Sequence, residues 1–147
     1  MQIYTLGFTQ KSAREFFELI KENNIQLLID IRLNNQSQLA GFTKGRDLGY
    51  FLKEICDCNY VHEPIFAPTK QLLSDYKKGL TDWDEYEKVF DRIMLSRNIC
   101  NYFLEKYAKM DSICLLCSEL EPKFCHRRLV AEKLREDLKL NIEIHHL

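Results

Sequence analysis

The sequence is poor in the residues that interrupt regular structure, and it has no long apolar run. Only three of its 147 residues are proline and five are glycine, which argues against a disordered or fibrous chain. No stretch approaches the roughly 18 apolar residues of a membrane span, and the N-terminus has neither the basic region nor the apolar core of a secretory signal. We therefore expect a cytoplasmic protein with no membrane partner.

The chain also has almost no net charge. Its 21 basic and 22 acidic side chains leave a formal charge of -1. Extensive binding to DNA or RNA needs many lysines and arginines that acids do not compensate. Net charge therefore does not support a nucleic-acid partner, and such binding would need a local basic patch. The composition carries no signal for an oligomeric state.

Short apolar runs alternate with amphipathic segments along the chain. We expect strands near residues 2–8, 25–32, 59–62, 111–117 and 141–145, and helices between them. Such alternation predicts a single α/β domain over residues 1–147, with a mostly parallel sheet of about four to five strands and helices on both faces. The polar segment 33–46 is predicted to be a long surface loop.

Polar side chains follow several of the predicted strands. Asp30 and Arg32 end the second strand, His62 ends the third, and Cys117 and Glu119 lie at the end of the fourth. Ligands of parallel α/β sheets bind beyond the carboxyl ends of the strands. These five residues are therefore candidate site residues.

The helix predicted after Pro122 contributes a second group of candidates. Arg127 falls in line with its buried stripe, so the guanidinium needs an acid or a bound anion as partner. Asp30 and Glu119 are the expected acids. A structural ion pair between Arg127 and Asp30 is the alternative to an anion site.

Arg128 and His126 flank that stripe near the helix N-terminus, where free backbone N–H groups and the helix dipole favour an anion. A phosphate, sulfate or carboxylate would gain bidentate arginine contacts there. We therefore expect a small anionic ligand as the partner of this segment.

The six cysteines are expected to be thiols in a reducing compartment, and most of them to be core residues. Cys117 differs, because its place at a strand end near arginines and a helix N-terminus is typical of a nucleophilic thiol. An inert, half-buried thiol is the alternative. Glu119 is either a general base or the acid that orients Arg127.

A zinc site is a further alternative for the same segment. Cys117, Cys125 and His126 are suitable ligand types, and Cys56 and Cys58 could add a fourth ligand if the fold brings them close. The spacing is not that of a known zinc finger. No metal or other cofactor is therefore assigned at this point.

The order of these motifs resembles the domain of unknown function 488 family over nearly the whole chain. The resemblance rests on residues 5–7, 27–32 and 62–64, on Leu-Leu-Cys-Ser-Glu at residues 115–119 and on Cys-His-Arg-Arg at residues 125–128. It implies a compact α/β fold in a mainly prokaryotic, cytosolic family, and it implies no particular reaction. The sequence departs from the family pattern at Phe8 and Thr9, where relatives commonly have His or Tyr and then Ser.

Three functions remain open from the sequence. The first is an enzyme acting on a small anionic or phosphate-bearing substrate, such as a nucleotide or a nucleic-acid end. Arg32, Arg127 and Arg128 would bind charge, and Cys117 or Glu119 would react. The second is a non-catalytic nucleotide or nucleic-acid binding module, and the third is a structural zinc domain.

Overall fold

The computed structural model describes residues 1–36 and 40–147. The strands are β1 (Gln2–Gly7), β2 (Leu27–Asp30), β3 (Asn59–His62), β4 (Ser112–Cys117) and β5 (Glu143–His146). The α-helices are α1 (Ala13–Glu22), α2 (Gly45–Cys56), α3 (Lys70–Lys77), α4 (Trp83–Ser96), α5 (Ile99–Tyr107) and α6 (His126–Asp137). Short 3-10 turns cover Gly41–Thr43 and Pro64–Phe66.

All of these strands lie in one parallel sheet in the order β3-β2-β4-β1-β5. The predicted α/β class is therefore confirmed. The two most continuously apolar runs, β2 and β4, lie inside the sheet and are almost fully buried. Strands covered by helices on both faces need such runs, because neither set of side chains meets water.

Each face of the sheet has its own apolar core. Ile113 and Leu115 of β4 pack with buried residues of α4, α5 and α6, whereas Cys114 and Leu116 point to the opposite face and pack with α1 and α2. This division follows from the alternation of side chains along a strand. Cys117 therefore faces the α4 and α6 side.

Helix boundaries follow local capping chemistry. A capping box precedes α1, with Ser12 accepting from the Glu15 backbone N–H and the Glu15 carboxylate accepting from the Ser12 backbone N–H. The helical segment between residues 83 and 107 is divided into α4 and α5. The break falls at Asn98, whose φ of 52° lies in the left-handed region.

Three predicted boundaries need correction. The long loop is shorter than residues 33–46, since α2 begins at Gly45 and a 3-10 turn precedes it. Residues 37–39 of that loop lie outside the described part of the chain. The helix predicted after Pro122 begins only at His126, and the final strand starts at Glu143 rather than Asn141.

The chain segments that follow β2 and β4 run to opposite faces of the sheet. The chain after β2 leads to α2 on one face, and the chain after β4 leads to α6 on the other. A crevice at the carboxyl ends of two such adjacent strands is the usual ligand site of an open α/β sheet. Among the described helices, none has the length and apolar character needed to cross a membrane.

Candidate functional site

Cys117 lies at the floor of this crevice. It is the last residue of β4 and is only 4% exposed. Ile31 follows the neighbouring β2 and donates its backbone N–H to the carbonyl of Leu116 at 3.1 Å. On the other side, Thr9 donates its backbone N–H to the Ser118 carbonyl at 3.1 Å. The backbone on both sides of Cys117 is thus fixed by hydrogen bonds to neighbouring segments.

Cys125 and His126 bring two more chemically active side chains to Cys117. Cys125 is the residue before α6, and His126 is the first residue of that helix. The two sulfur atoms and a ring nitrogen of His126 all lie within 4.8 Å of one another, and all three residues are buried. We call Cys117, Cys125 and His126 the Cys-Cys-His group.

The ring of His126 is fixed by the end of β2. Its Nε2 lies 3.0 Å from the carbonyl oxygen of Ile31. Because a carbonyl only accepts, Nε2 carries the proton in this hydrogen bond, and in the neutral ring Nδ1 keeps a free lone pair. The sulfur of Cys117 lies 3.6 Å from Nδ1 and 3.8 Å from Nε2.

The two thiols of the group differ in acidity. A hydrogen bond from Cys125 lowers the pKa of Cys117 despite burial, and the Ser118 backbone and the charge of Arg127 lower it further. The same hydrogen bond and burial raise the pKa of Cys125 well above its usual value. Cys117 is therefore the thiol that ionises first.

Arg127 is fully buried, as predicted, but its expected partner is wrong. Its guanidinium donates to the backbone carbonyls of Glu119 and Leu120, the latter at 2.9 Å, and not to the carboxylate of Asp30. The Nε of Arg127 has no described partner. Arg127 therefore positions the loop after β4 and is not among the described residues that line the crevice.

Gly7 makes this close packing feasible. A Cβ at this position would lie 1.6 Å from the carbonyl oxygen of Glu119 and 2.8 Å from the guanidinium of Arg127. Only a residue without a side chain lets the end of β1 approach the loop after β4.

Asp30 forms a buried ion pair with its near neighbour Arg32. The Arg32 Nε and one terminal nitrogen lie 2.8 and 2.6 Å from the two carboxylate oxygens. Tyr60 also donates to Asp30 at 2.8 Å, and Arg32 donates to the carbonyl of Thr43 at 2.7 Å. His62 donates through Nε2 to the Arg32 carbonyl at 2.7 Å. Asp30 thus neutralises the charge of Arg32, and His62 holds the Arg32 backbone.

Arg128 points away from the predicted anion site. It forms ion pairs with Glu87 of α4 and with Glu132 one turn along α6. Glu119 is exposed, and its side chain lines the crevice. Glu119 is therefore one of the residues that line the crevice, whereas Arg128 connects two helices.

The crevice opens into a cleft of about 760 Å³. Lysines from α3 and aromatic side chains form one wall, and the Cys-Cys-His group forms part of the floor. The described lining residues are Arg32, Leu33, Asn34, Lys70, Leu73, Ser74, Tyr76, Lys77, Lys78, Trp83, Tyr86, Cys117, Ser118, Glu119, Phe124, Cys125 and His126. We call this the basic cleft, because three exposed lysines face one exposed carboxylate, Glu119.

Sequence reasoning missed the lysine wall. Lys70 and Lys77 are the first and last residues of α3, and Lys78 follows directly as its C-cap. Helix α3 follows β3 after a short turn and so begins near the carboxyl edge of the sheet. The available signal was the cap of α3, where Thr69 accepts from the backbone N–H of Leu72. A helix that starts so soon after a strand presents its first turn to the ligand side.

Cys56 and Cys58 do not join the Cys-Cys-His group. Their thiols donate to the carbonyls of Phe17 and Asn59, each at 3.4 Å. Both pack in the core on the α1 and α2 face of the sheet. A fourth metal ligand from either cysteine, which the sequence left open, is therefore wrong.

Comparison with known proteins gives one match. The family model described as Domain of unknown function DUF488 matches residues 12–134, which include Cys117, Cys125 and His126. No curated protein and no solved structure gives a significant match.

Proposed function

Because the chain belongs to the family described as Domain of unknown function DUF488, whose description names no reaction, we propose a function from the site itself. The protein is an enzyme that acts on a small anionic substrate, best a phosphate-bearing one, bound in the basic cleft. The observation that carries this proposal is the position of the Cys-Cys-His group on the floor of a cleft with a lysine wall.

Cleft size and charge both favour a substrate of this class. About 760 Å³ lies within the range of small-molecule sites and exceeds what a lone phosphate needs. Lys70, Lys77 and Lys78 are exposed, and the described residues give them no ion-pair partner. Lysine binds phosphate as a mobile point charge, which suits an open wall. Arg32 contributes little, because Asp30 balances its charge.

Cys117 is central to either chemistry that this floor supports. The Cys117 sulfur would bond to the phosphorus of the substrate while the bond from phosphorus to the leaving oxygen breaks and that oxygen takes up a proton; water would then release phosphate from the sulfur. With Cys125 and His126 it can instead hold a metal ion that activates water. Glu119, an exposed residue of the cleft lining, would accept a proton in both cases.

Binding and turnover test the proposal separately. Calorimetric titration with inorganic pyrophosphate and with adenosine monophosphate should detect binding. The double variant Lys70→Ala/Lys77→Ala should weaken it by roughly two- to thirtyfold, the sum of two exposed charge contacts. Lys109→Ala is the matched control, because this exposed lysine lies three residues before β4, at the opposite edge of the sheet.

A panel of phosphate monoesters, diesters and nucleotides should then reveal turnover that Cys117→Ala abolishes while pyrophosphate binding persists. Binding without turnover of any member would favour the non-catalytic binding module. Equal anion affinity in the wild type and the double lysine variant would contradict the proposal.

A further inference from the structure

We propose that Cys117, Cys125 and His126 bind a zinc ion whose fourth coordination position opens into the basic cleft. The proposal deepens the proposed function and rests on it, since the ion would lie at the floor where the substrate is expected. Zinc binding itself can be measured without any substrate. The starting observation is that the three ligand atoms already lie within 4.8 Å of one another.

The separations are close to those of tetrahedral zinc, and the ring of His126 has to turn to complete the geometry, because Cys117 Sγ also lies 3.8 Å from Nε2. With Zn–S near 2.3 Å and Zn–N near 2.05 Å, tetrahedral geometry places sulfur and nitrogen about 3.6 Å apart and two sulfurs about 3.8 Å apart. Cys117 Sγ lies 3.6 Å from Nδ1 of His126. The widest separation in the group therefore needs a side-chain adjustment of only about 1 Å.

His126 has the tautomer that a metal ligand at Nδ1 needs. Its Nε2–H donates to the Ile31 carbonyl at 3.0 Å, which fixes the tautomer. The other nitrogen, Nδ1, keeps its lone pair and is the nitrogen nearer to Cys117. A backbone carbonyl on the second ring nitrogen is a recurrent outer partner of zinc-bound histidine.

Charge also favours a divalent ion at this place. Cys117 is 4% exposed and Cys125 is 2% exposed. A metal ion binds both residues as thiolates, and buried thiolates need a positive charge to compensate them. One Zn²⁺ cancels both, with His126 neutral. Cysteine and histidine together select zinc over magnesium or calcium, which prefer oxygen ligands.

The fourth position distinguishes this site from a structural zinc finger. Among the described residues, no further histidine, cysteine or carboxylate joins the group as a fourth ligand. All three ligands line the basic cleft, so the remaining position faces it. Two cysteines and one histidine with an open position form a ligand set of catalytic zinc sites, where the ion binds water or substrate.

Metal titration of untagged, fully reduced protein tests the proposal. We expect one equivalent of Zn²⁺ to bind and to raise the melting temperature, because an ion that binds only the folded state stabilises it. Co²⁺ in its place should give a sulfur-to-cobalt charge-transfer band and the intense visible bands of tetrahedral geometry. Cys117→Ser, Cys125→Ser and His126→Gln should each lower zinc affinity by at least about 100-fold.

Cys100→Ser is the matched control, because this half-buried thiol lies on α5 beside Asp137 at the far end of α6. It should bind zinc like the wild type. The cobalt spectrum of the wild type needs no variant, so the test holds even if a ligand variant fails to fold.

Zinc affinity that survives loss of the three ligands would overturn the proposal, as would octahedral cobalt bands without charge transfer. Absence of binding to reduced protein would also overturn it and would leave Cys117 as a free nucleophile. Failure of the proposed function has a different signature: zinc binds, but pyrophosphate affinity does not depend on Lys70 and Lys77.

Discussion

Asp30 and Arg32, two residues apart at the end of β2, form a two-point ion pair that is almost completely removed from solvent. Arg32 then reaches on to the Thr43 carbonyl just before α2, and its guanidinium lies over the ring of Phe8. The pair therefore connects the end of β2 to two loops at the carboxyl edge of the sheet. This network supports one side of the basic cleft.

We expect Asp30→Asn to be strongly destabilising. The variant leaves the Arg32 charge buried without a counter-charge, which typically costs about 3–5 kcal/mol. Tyr60→Phe removes only one neutral donor from the same carboxylate and should cost about 1 kcal/mol. Urea unfolding of both variants and the wild type measures the difference. Equal losses would show that the ion pair contributes no more than the tyrosine contact.

The strand pattern contained enough information to find this pair. Asp30 and Arg32 are two residues apart, so extended backbone places them on the same face. Helical periodicity correctly predicted that Arg127 is buried, yet it misassigned the partner. A helical wheel shows which side of a helix a residue lies on, but it does not show which backbone carbonyls turn toward it. The Glu119 and Leu120 carbonyls became visible only in three dimensions.

The overall fold was more accessible from sequence than the cleft. Strands β2 and β4 are apolar except for Asp30 at the end of β2 and Ser112 at the start of β4. Amphipathic helices lie between the strands, so local patterns determine the architecture. The wall of the cleft depends instead on where α3 lies relative to the loops after β2 and β4, which line the same cleft. Lys70 and Lys77 are far from Cys117 in sequence, and no local pattern relates them.

Glu63 gives the fold a specific sensitivity to acid. Burial alone would raise its pKa, but hydrogen bonds from Tyr102, Tyr107 and Lys106 outweigh it, and the pKa of Glu63 is lowered. The folded-state pKa is thus below the unfolded one. The carboxylate contributes stability that is fully present above about pH 5 and is lost as the pH falls through the lowered pKa.

Glu63→Gln should therefore reduce stability at neutral pH and flatten its dependence on pH between about 5 and 3. Thermal melts across this interval measure both effects. Glu105→Gln, at an exposed position of the same α5 helix that carries Tyr102, is the control and should leave the slope unchanged. A Glu63→Gln curve parallel to that of the wild type would contradict the assignment.

Arg128, in the Cys-His-Arg-Arg segment, has a structural role that can be tested separately from ligand binding. It pairs with Glu87 and Glu132, and Glu87 also accepts from the indole of Trp83 at 2.6 Å. The arginine thereby fastens α6 to α4 beside the basic cleft. The sequence had suggested that Arg128 binds the anion directly, and the structure gives its guanidinium other partners.

Arg128→Ala should accordingly lower the melting temperature while leaving pyrophosphate affinity within about twofold of the wild type. The loss is expected to be about 1 kcal/mol, because the two ion pairs are partly exposed. Glu87→Gln is the informative companion, since it weakens the same link without removing a positive charge. If anion binding falls steeply in Arg128→Ala but not in Glu87→Gln, then Arg128 contacts the ligand after all, and the anion site must extend to the N-terminal turn of α6.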